Sequence, residues 1–479
     1  MYNYRAKPYH AWTLYSVAAV LSMISLFAQG CFAATIKVNT VQDAVAIDGF
    51  CSLREAITSV NTQAASGNMS GECAAGDGNN DTINVPAGLY LLTLVGDREN
   101  NNATGDLDIL ANVTIAGAGV GATIIDASGL GSTPDRVFDV PASSIRVTLR
   151  DMTVQNGHAP NINGGLCAEN GGGIRINNAA VTLTDFNLDS NLAGNGSIPL
   201  SCNPGRGGGI FTNGGSLILL RADVTRNFSS TLGGGLHSQG ANVEVIRSRF
   251  DSNSAQAAGG GISISSAALV MTQSSVSRNT AVDACGGGIY DDAAGLTVSN
   301  STIVANTAGG GCATVSFASG ISVEYANAQL DFVTVSENTS GGISIYSQSN
   351  NLKSLNLRNS IISGNGGSSD CFMFSGGSLI SQGYNLAGSS CPSNGPGDIV
   401  TTNPLLGPLS SYGGPAELML PHPDSPATNA GSCGASDLFE DQRGDTRPAS
   451  VPNVPYLYDG CDIGAAELDD DVFWDGFGR

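Results

Sequence analysis

The sequence predicts an all-β chain wound as a single-stranded parallel β-helix. Three observations predict it: a repeat with one constant and one variable part, period-two alternation inside the constant part, and 64 glycines against 6% aromatic residues. Such a composition implies many tight turns and thin cores, which suits stacked repeats better than two or three ordinary domains.

Residues 1–33 read as a secretory leader, with Arg5 and Lys7 ahead of the apolar run LYSVAAVLSMISLFA and small residues at Ala33 and Ala34. No second run is long and apolar enough to span a membrane. Cleavage removes two of 20 basic residues and none of 41 acidic ones, so the mature charge is −23. That balance excludes nucleic acid and anionic membrane surfaces as partners.

The repeat recurs from residue 150 onward, as in GGGIFTNGGSLILLRADVTRN and GGGLHSQGANVEVIRSRFDSN. Ile174, Ile210, Leu236, Ile262, Ile289 and Ile321 each stand 17 residues before an asparagine: Asn191, Asn227, Asn253, Asn279, Asn306 and Asn338. From each asparagine to the next aliphatic residue the interval is 19, 9, 9, 10, 15 and 5. Stacked strands must keep register while one exposed corner accepts insertions, so constant and variable parts alternate. Helical repeats would need apolar residues three and four apart, whereas VTLTDF and NVEVIRSRF alternate with period two. Propeller blades would need recurring two-residue hairpin turns, and none recurs.

Within the repeat, the glycine triplets permit positive φ after the variable corner. Asparagine is the other residue that tolerates a left-handed bend, and its amide can stack from coil to coil. An asparagine ladder is therefore expected from Asn156, Asn191, Asn227, Asn253, Asn279, Asn306, Asn338 and Asn365. The ten cysteines besides Cys31 suit an oxidising compartment. Cys167 and Cys202 each follow an asparagine by 11 residues, and Cys285, Cys312, Cys371 and Cys391 each follow one by 6. Neighbouring coils lie about 4.8 Å apart, within disulfide reach. The expected bridges are Cys51–Cys73, Cys167–Cys202, Cys285–Cys312, Cys371–Cys391 and Cys433–Cys461.

A β-helix exposes an open sheet at each end, which must be covered. At the head, CSLREAITSVN (residues 51–61) supplies a helix, with Ser52 and Glu55 as a capping box and Leu53, Ala56, Ile57 and Val60 on one apolar face; Arg54 belongs to the same cap. CSLREAI, DTINVPAGLYLLTL, GDLDI and VTIAGAG together resemble the CSLREA domain at the head of secreted bacterial parallel β-helix proteins. The middle repeats are similar to those of chlamydial polymorphic outer-membrane proteins. NPLLGPLSSYGGPAELMLPHPDSPATNAG, DQRGDTRP and CDIGAAE resemble the choice-of-anchor Q domain, although Asn429 stands where that family usually has Asp. These resemblances, with the usual hand of parallel crossovers, imply a right-handed coil with an irregular C-terminal cap. The expected divisions are a leader at 1–33, the cap at 34–100, the coil at 101–395, the anchor-type region at 396–467 and an acidic, aromatic tail at 468–479. The polymorphic proteins end in a membrane barrel, for which the 12 residues after Glu467 leave no room.

Candidates for chemistry are few. Asp291 and Asp292 are the only adjacent acids inside the repeats, and no carboxylate is expected at their positions one coil earlier. His158 and His237 lack acidic companions, and the mature chain has only Lys37 and Lys353 as lysines. DGNND (residues 77–81) is rich in oxygen ligands but lacks the spacing of a hand-type calcium loop, so an Asx turn is expected there with Ca²⁺ as the alternative, and no cofactor is predicted. No CxxC pair suggests zinc. The sequence thus points to a secreted or surface-displayed adhesion-type protein, with no catalytic residue assigned. It would hold a carbohydrate or protein ligand through the variable loops after Asn156, Asn191 and Asn306. The alternative is a polysaccharide lyase or glycoside hydrolase working in the groove beside the strands, for which acids must converge from neighbouring coils.

Overall fold

A computed structural model of the chain describes residues 33–162, 167–194, 205–309, 318–348, 350–435, 438–449, 455 and 457–469. The expected leader, apart from Ala33, and the tail beyond Asp469 lie outside the described residues. The described chain winds as a single-stranded parallel β-helix, and one coil shows how. From Gly207 the chain enters Ile210–Asn213, turns at Gly214 and Gly215 into Ser216–Thr225, rounds a corner at Asn227 and returns through Phe228–Ser229. Each segment pairs in parallel with its equivalents before and after: Ile210 with Ile174 and Leu236, Leu217 with Val181 and Val243, Phe228 with Leu192 and Ser254. Repetition builds a long sheet, a ten-strand sheet and a sheet of five two-residue strands among the described residues. Alternate side chains point inward, so Phe138, Ile174, Ile210, Leu236, Ile262, Ile289, Ile321 and Ile343 stack in one fully buried column.

The corner is closed by a continuous run of amides. Asn191, Asn227, Asn253, Asn279, Asn306, Asn338 and Asn365 stack one per coil. The backbone N and side-chain Nδ2 of each donate to Oδ1 of the next at 2.9–3.2 Å. Each Nδ2 also donates to a carbonyl of the preceding coil, as from Asn253 to Val224 at 2.8 Å. The run ends on Asp370, whose Oδ1 accepts both donors of Asn365.

Two details correct the sequence reading. Pairing of Gln155 with Asp189 puts Asn156 opposite Ser190, one position ahead of the stack. Its Nδ2 donates to Asp126 instead, and Gly157 N takes the place on Asn191 Oδ1. Moreover, the left-handed residue is the one before each asparagine: Ser190, Arg226, Ser252, Arg278, Ala305 and Glu337 have φ between +54° and +57°. Asparagine is required at this corner for its hydrogen bonds rather than for its backbone tolerance. The third glycine of each triplet packs under the same amides. A Cβ on Gly209 would lie 2.7 Å from the carbonyl oxygen of Gly235 and 3.1 Å from Asn227 Cγ.

A second ladder runs through the long sheet, where Arg247, Gln273 and Asn300 bend it with φ of +49°, +49° and +43°. The serine after each bend turns its hydroxyl inward. Ser248 accepts from Ala222 N, Ser274 from Ser248 N and Ser301 from Ser274 N, at 3.0, 3.0 and 3.2 Å. These bends would otherwise leave buried amides unpaired.

At the head, helix α1 (Leu53–Thr62) carries a capping box formed by Ser52 and Glu55. Leu53, Ala56, Ile57 and Val60 join the central core. Arg54 is also fully buried: Nε donates to Asp43 at 2.7 Å, Nη1 to the carbonyl of Asp106 and Nη2 to that of Gly105, both at 2.8 Å. Its guanidinium ties the plug to the first coil. At the far end, residues 388–398 cross the last coil, where Ser390 Oγ accepts from the backbone N of Asp370 and Cys371.

The irregular C-terminal region extends along the flank of the long sheet. Gln273 donates to Asp441 O, Thr302 to Gln442, Ala465 N to Thr334 and Asn359 to Ser432 O. Arg447 lies 4.0 Å above the Phe332 ring and is paired with Glu467, with both side chains fully buried.

Disulfides join Cys51 to Cys73, Cys371 to Cys391 and Cys433 to Cys461, with Cα separations of 4.8, 5.1 and 5.7 Å. Cys285 is also disulfide-bonded. Cys312 and Cys202 lie outside the described residues, and Cys167 sits on a two-residue strand with Ala168.

Replacing Asn253 by Ala removes the acceptor of two donors on Asn227 and the donor to Val224 and Asn279. Because buried backbone groups are left unpaired, Asn253→Ala is expected to cost about 2–4 kcal/mol. Denaturant midpoints measured against Ser254→Ala, on the neighbouring half-buried position, check this.

Candidate functional site

The ten-strand sheet turns one face outward directly after the variable corner. The chain leaves the short strands, traverses the variable segment and enters the sheet through the glycine triplet. Loop residues before the triplet therefore border that face. Its outward rows are in register. One runs Asp108, Asp139, Arg175, Phe211, His237, Ser263, Tyr290; the other runs Asn177, Asn213, Gln239, Ser265, Asp292, Glu324, Tyr346.

Between the loop and the sheet lies a cleft of about 340 Å³, lined by Glu169, Asn170, Arg175, Asn177, Phe211, Asn213 and Gln239. Phe211 stacks on His237, with centroids 5.9 Å apart and planes inclined by 16°. The His237 ring is fully buried and shares a hydrogen bond with Ser263 Oγ at 3.1 Å. Burial, reinforced by Arg206, pushes its pKa down to about 3, so the imidazole is neutral at physiological pH. Arg206 clasps the loop to the sheet, donating from its backbone to Asn170 Oδ1 at 3.0 Å and from Nη1 to Gln239 Oε1 at 3.2 Å.

One wall of the cleft is anchored in a buried charge network. Arg175 donates to both oxygens of Asp139 and, from Nη1, to Glu169 at 2.8 Å. The same Glu169 oxygen accepts from Nη2 of fully buried Arg136 at 2.7 Å, and Arg136 Nη1 reaches Asp106 at 2.9 Å. Burial pushes the carboxyl of Asp106 well above the usual range despite the pull of Arg136, and that of Asp108 to about 7. Burial likewise raises Asp135 to about 6. The sequence motifs assign no site residue in GDLDI (residues 105–109) or PDRVFD (residues 134–139). The signal is in the pattern: Asp108 and Asp139 lie within strands whose other positions are apolar, and Asp106 and Asp135 precede them.

Farther along the face, pairing refines the reading of the adjacent acids. Asp291 lies between Ile264 and Val323 in the inward row, is 1% exposed, and accepts from Ala294 N at 3.1 Å. It caps a turn. Asp292 points outward opposite Ser265, and opposite Glu324 on the following coil. The carboxylate companion is one coil later, at the interval already fixed by Ile289 and Ile321. Burial raises both Asp292 and Glu324, the latter further through the charge of Asp292. Tyr325 and Tyr346 meet edge to face beside them at 5.2 Å.

The other candidates are structural. His158 N donates to Asp135 O at 2.9 Å, and burial lowers the pKa of its ring. In residues 77–81, Asn79 N donates to Asp77 Oδ1 at 2.9 Å, while buried Asp81 accepts from Ala34 N at 2.9 Å. This is an Asx turn tied to the first strand. Of the three loops expected to bind, residues 163–166 after Asn156, 195–204 after Asn191 and 310–317 after Asn306 lie outside the described residues.

No family model and no curated protein matches the chain. Solved structures similar to it include the A-module of Azotobacter vinelandii mannuronan C-5 epimerase AlgE4, at 14% identity and a TM-score of 0.31, covering 67% of this chain and 91% of that one. Pectate lyase Pel9A matches at 13% identity and a TM-score of 0.42, covering 91% and 96%. The Dettilon tailspike protein matches at 12% and 0.29, and the likeness spans 62% of its length and 67% of this chain. Among the described residues no helix is long and apolar enough to cross a membrane.

Burial raises the pKa of Asp291 from 3.8 to about 7. The folded state thus binds a proton that the unfolded state releases between those values, and this group's contribution to stability falls as pH rises through that window. Asp291→Asn keeps the acceptor for Ala294 and is expected to match the parent near pH 4 but exceed it by about 4 kcal/mol at pH 8. Denaturant unfolding at the two pH values would show a constant difference if Asp291 were not the group responsible.

Proposed function

We propose that the chain is a secreted, surface-displayed binding protein that holds an extended, uncharged saccharide along the outward face of the ten-strand sheet. The observation that carries this reading is the cleft between Glu169, Asn170 and the sheet. It has the volume of a small-ligand site, with one aromatic ring on its floor and several amides converging around it. Amides both donate and accept, which suits a hydroxyl-rich ligand. Arg175 and Glu169 neutralise one another, and the strongly acidic chain disfavours polyanions. The open, linear rows on either side would let a polymer continue past the cleft. Disulfides, the leader and the resemblance of head and tail to secreted β-helix proteins support export.

Asn177 and Asn213 line the cleft without being part of the core. Replacing both by Ala is expected to weaken binding to neutral glycans about tenfold or more, as read on a glycan array and by calorimetry, with the thermal midpoint unchanged. Equal binding by parent and variant would reject the cleft as the site.

A second reading rests on Asp292 and Glu324. Directly opposed strand residues place their Cβ atoms about 5 Å apart, near the carboxyl spacing used in retaining glycoside hydrolysis. If this pair acts, Asp292→Asn and Glu324→Gln should each lower reducing-sugar release from a bound glycan by about 100-fold or more. Release unaffected by either change, or no release by the parent, removes this reading.

A further inference from the structure

We propose that Asp106, Asp108 and Asp139 form a Ca²⁺ site at the head of the ten-strand sheet. Leu107 points into the core, so Asp106 and Asp108, two residues apart, share the outward side. Asp108 is then paired with Asp139 on the next coil. One carboxylate oxygen from each residue lies within 4.8 Å of those of the other two. Two oxygens bound to one Ca²⁺ at about 2.4 Å can be at most about 4.8 Å apart, so this spacing admits a shared ion.

The second observation is independent of the spacing. All three residues are 0% exposed, yet Oδ1 of Asp106 and Oδ1 of Asp108 accept no hydrogen bond. A buried carboxylate oxygen with no donor is costly, and an ionised carboxylate can only accept. The other oxygens are committed: Asp106 Oδ2 to Arg136 at 2.9 Å, Asp108 Oδ2 to Asn102 N at 2.8 Å, and both oxygens of Asp139 to Arg175, so that Asp139 would share its carboxylate between Arg175 and the ion. These partners fix the orientation of the carboxylates and leave one oxygen of each of the two orphaned groups for a cation. Two guanidinium groups, Arg136 and Arg175, serve Asp106, Asp135, Asp139 and Glu169, and Asp108 has neither. Positive charge is therefore in deficit at this place. With oxygen donors alone the site favours a hard divalent ion over zinc or copper.

The ion would join the segment carrying Asn102 to the first two coils and hold Asp139, the residue that clamps Arg175 at the wall of the cleft. This goes beyond the saccharide reading and does not depend on it.

The test uses the full mature protein, freed of divalent ions by chelator and titrated with CaCl₂ in a calorimeter. The expected result is one Ca²⁺ per chain, with a thermal midpoint several degrees higher in millimolar Ca²⁺ than in chelator. Asp108→Asn should weaken the affinity about tenfold or more, whereas Asp77→Asn, in the other acid-rich stretch, should leave it unchanged. Absence of both heat and midpoint shift at about 10 mM CaCl₂ overturns the proposal on the parent protein alone, even if Asp108→Asn does not fold. So does loss of binding in Asp77→Asn with retention in Asp108→Asn.

Discussion

Everything in this molecule hangs on the vertical registration of successive coils. A parallel coil has no hairpins to set its register, so each strand is aligned only by what it meets above and below. The amide stack from Asn191 to Asn365 supplies that alignment in a directional form: each Oδ1 takes two donors from the coil before, and each Nδ2 reaches back to a carbonyl. A slip of one residue would break those bonds and send the inward column of isoleucines to the surface. The glycines at the end of each triplet are the steric counterpart, since the amides occupy the space a Cβ would need.

Registration also separates scaffold from display. Inward positions must be apolar or hydrogen-bonded within the coil, as the serine ladder is, while outward positions are free to differ from coil to coil. The long sheet uses that freedom for cross-coil ion pairs such as Arg221 with Asp185, Arg249 with Asp223 and Arg358 with Asp331. It also offers its flank to the C-terminal region. The ten-strand sheet instead gathers amides, aromatic rings and carboxylates, next to the corner where insertions are tolerated.

Buried charge marks the two places where irregular chain joins the coil. At the head, Arg54 and Arg136 draw loop carbonyls and acids onto the first coils; at the C-terminal flank, Arg447 does the same with Glu467 and Gly464. Guanidinium suits this task because it offers five donors in a fixed plane and stays charged when desolvated. Its cost is offset only when acids surround it, which explains why acids crowd these two regions.

The coil itself was legible in the chain because its information is local and repeated: the constant spacing of 17, the period-two alternation and the asparagines state a geometry six times over. The helix over Leu53–Thr62 was legible for a similar reason, since its capping box and apolar stripe lie within one stretch. Asn156 was misplaced by one position because its repeat is worn, and only pairing with Asp189 and Ser190 sets its register. The partnership of Asp292 with Glu324, the Asp106, Asp108 and Asp139 cluster and the cleft at Arg175 were decided by the tertiary structure. Each joins residues about 30 or more positions apart, across an interval that varies with the corner insertions. Periodicity can determine which way a side chain points; which neighbours it meets depends on how much chain each corner has taken up.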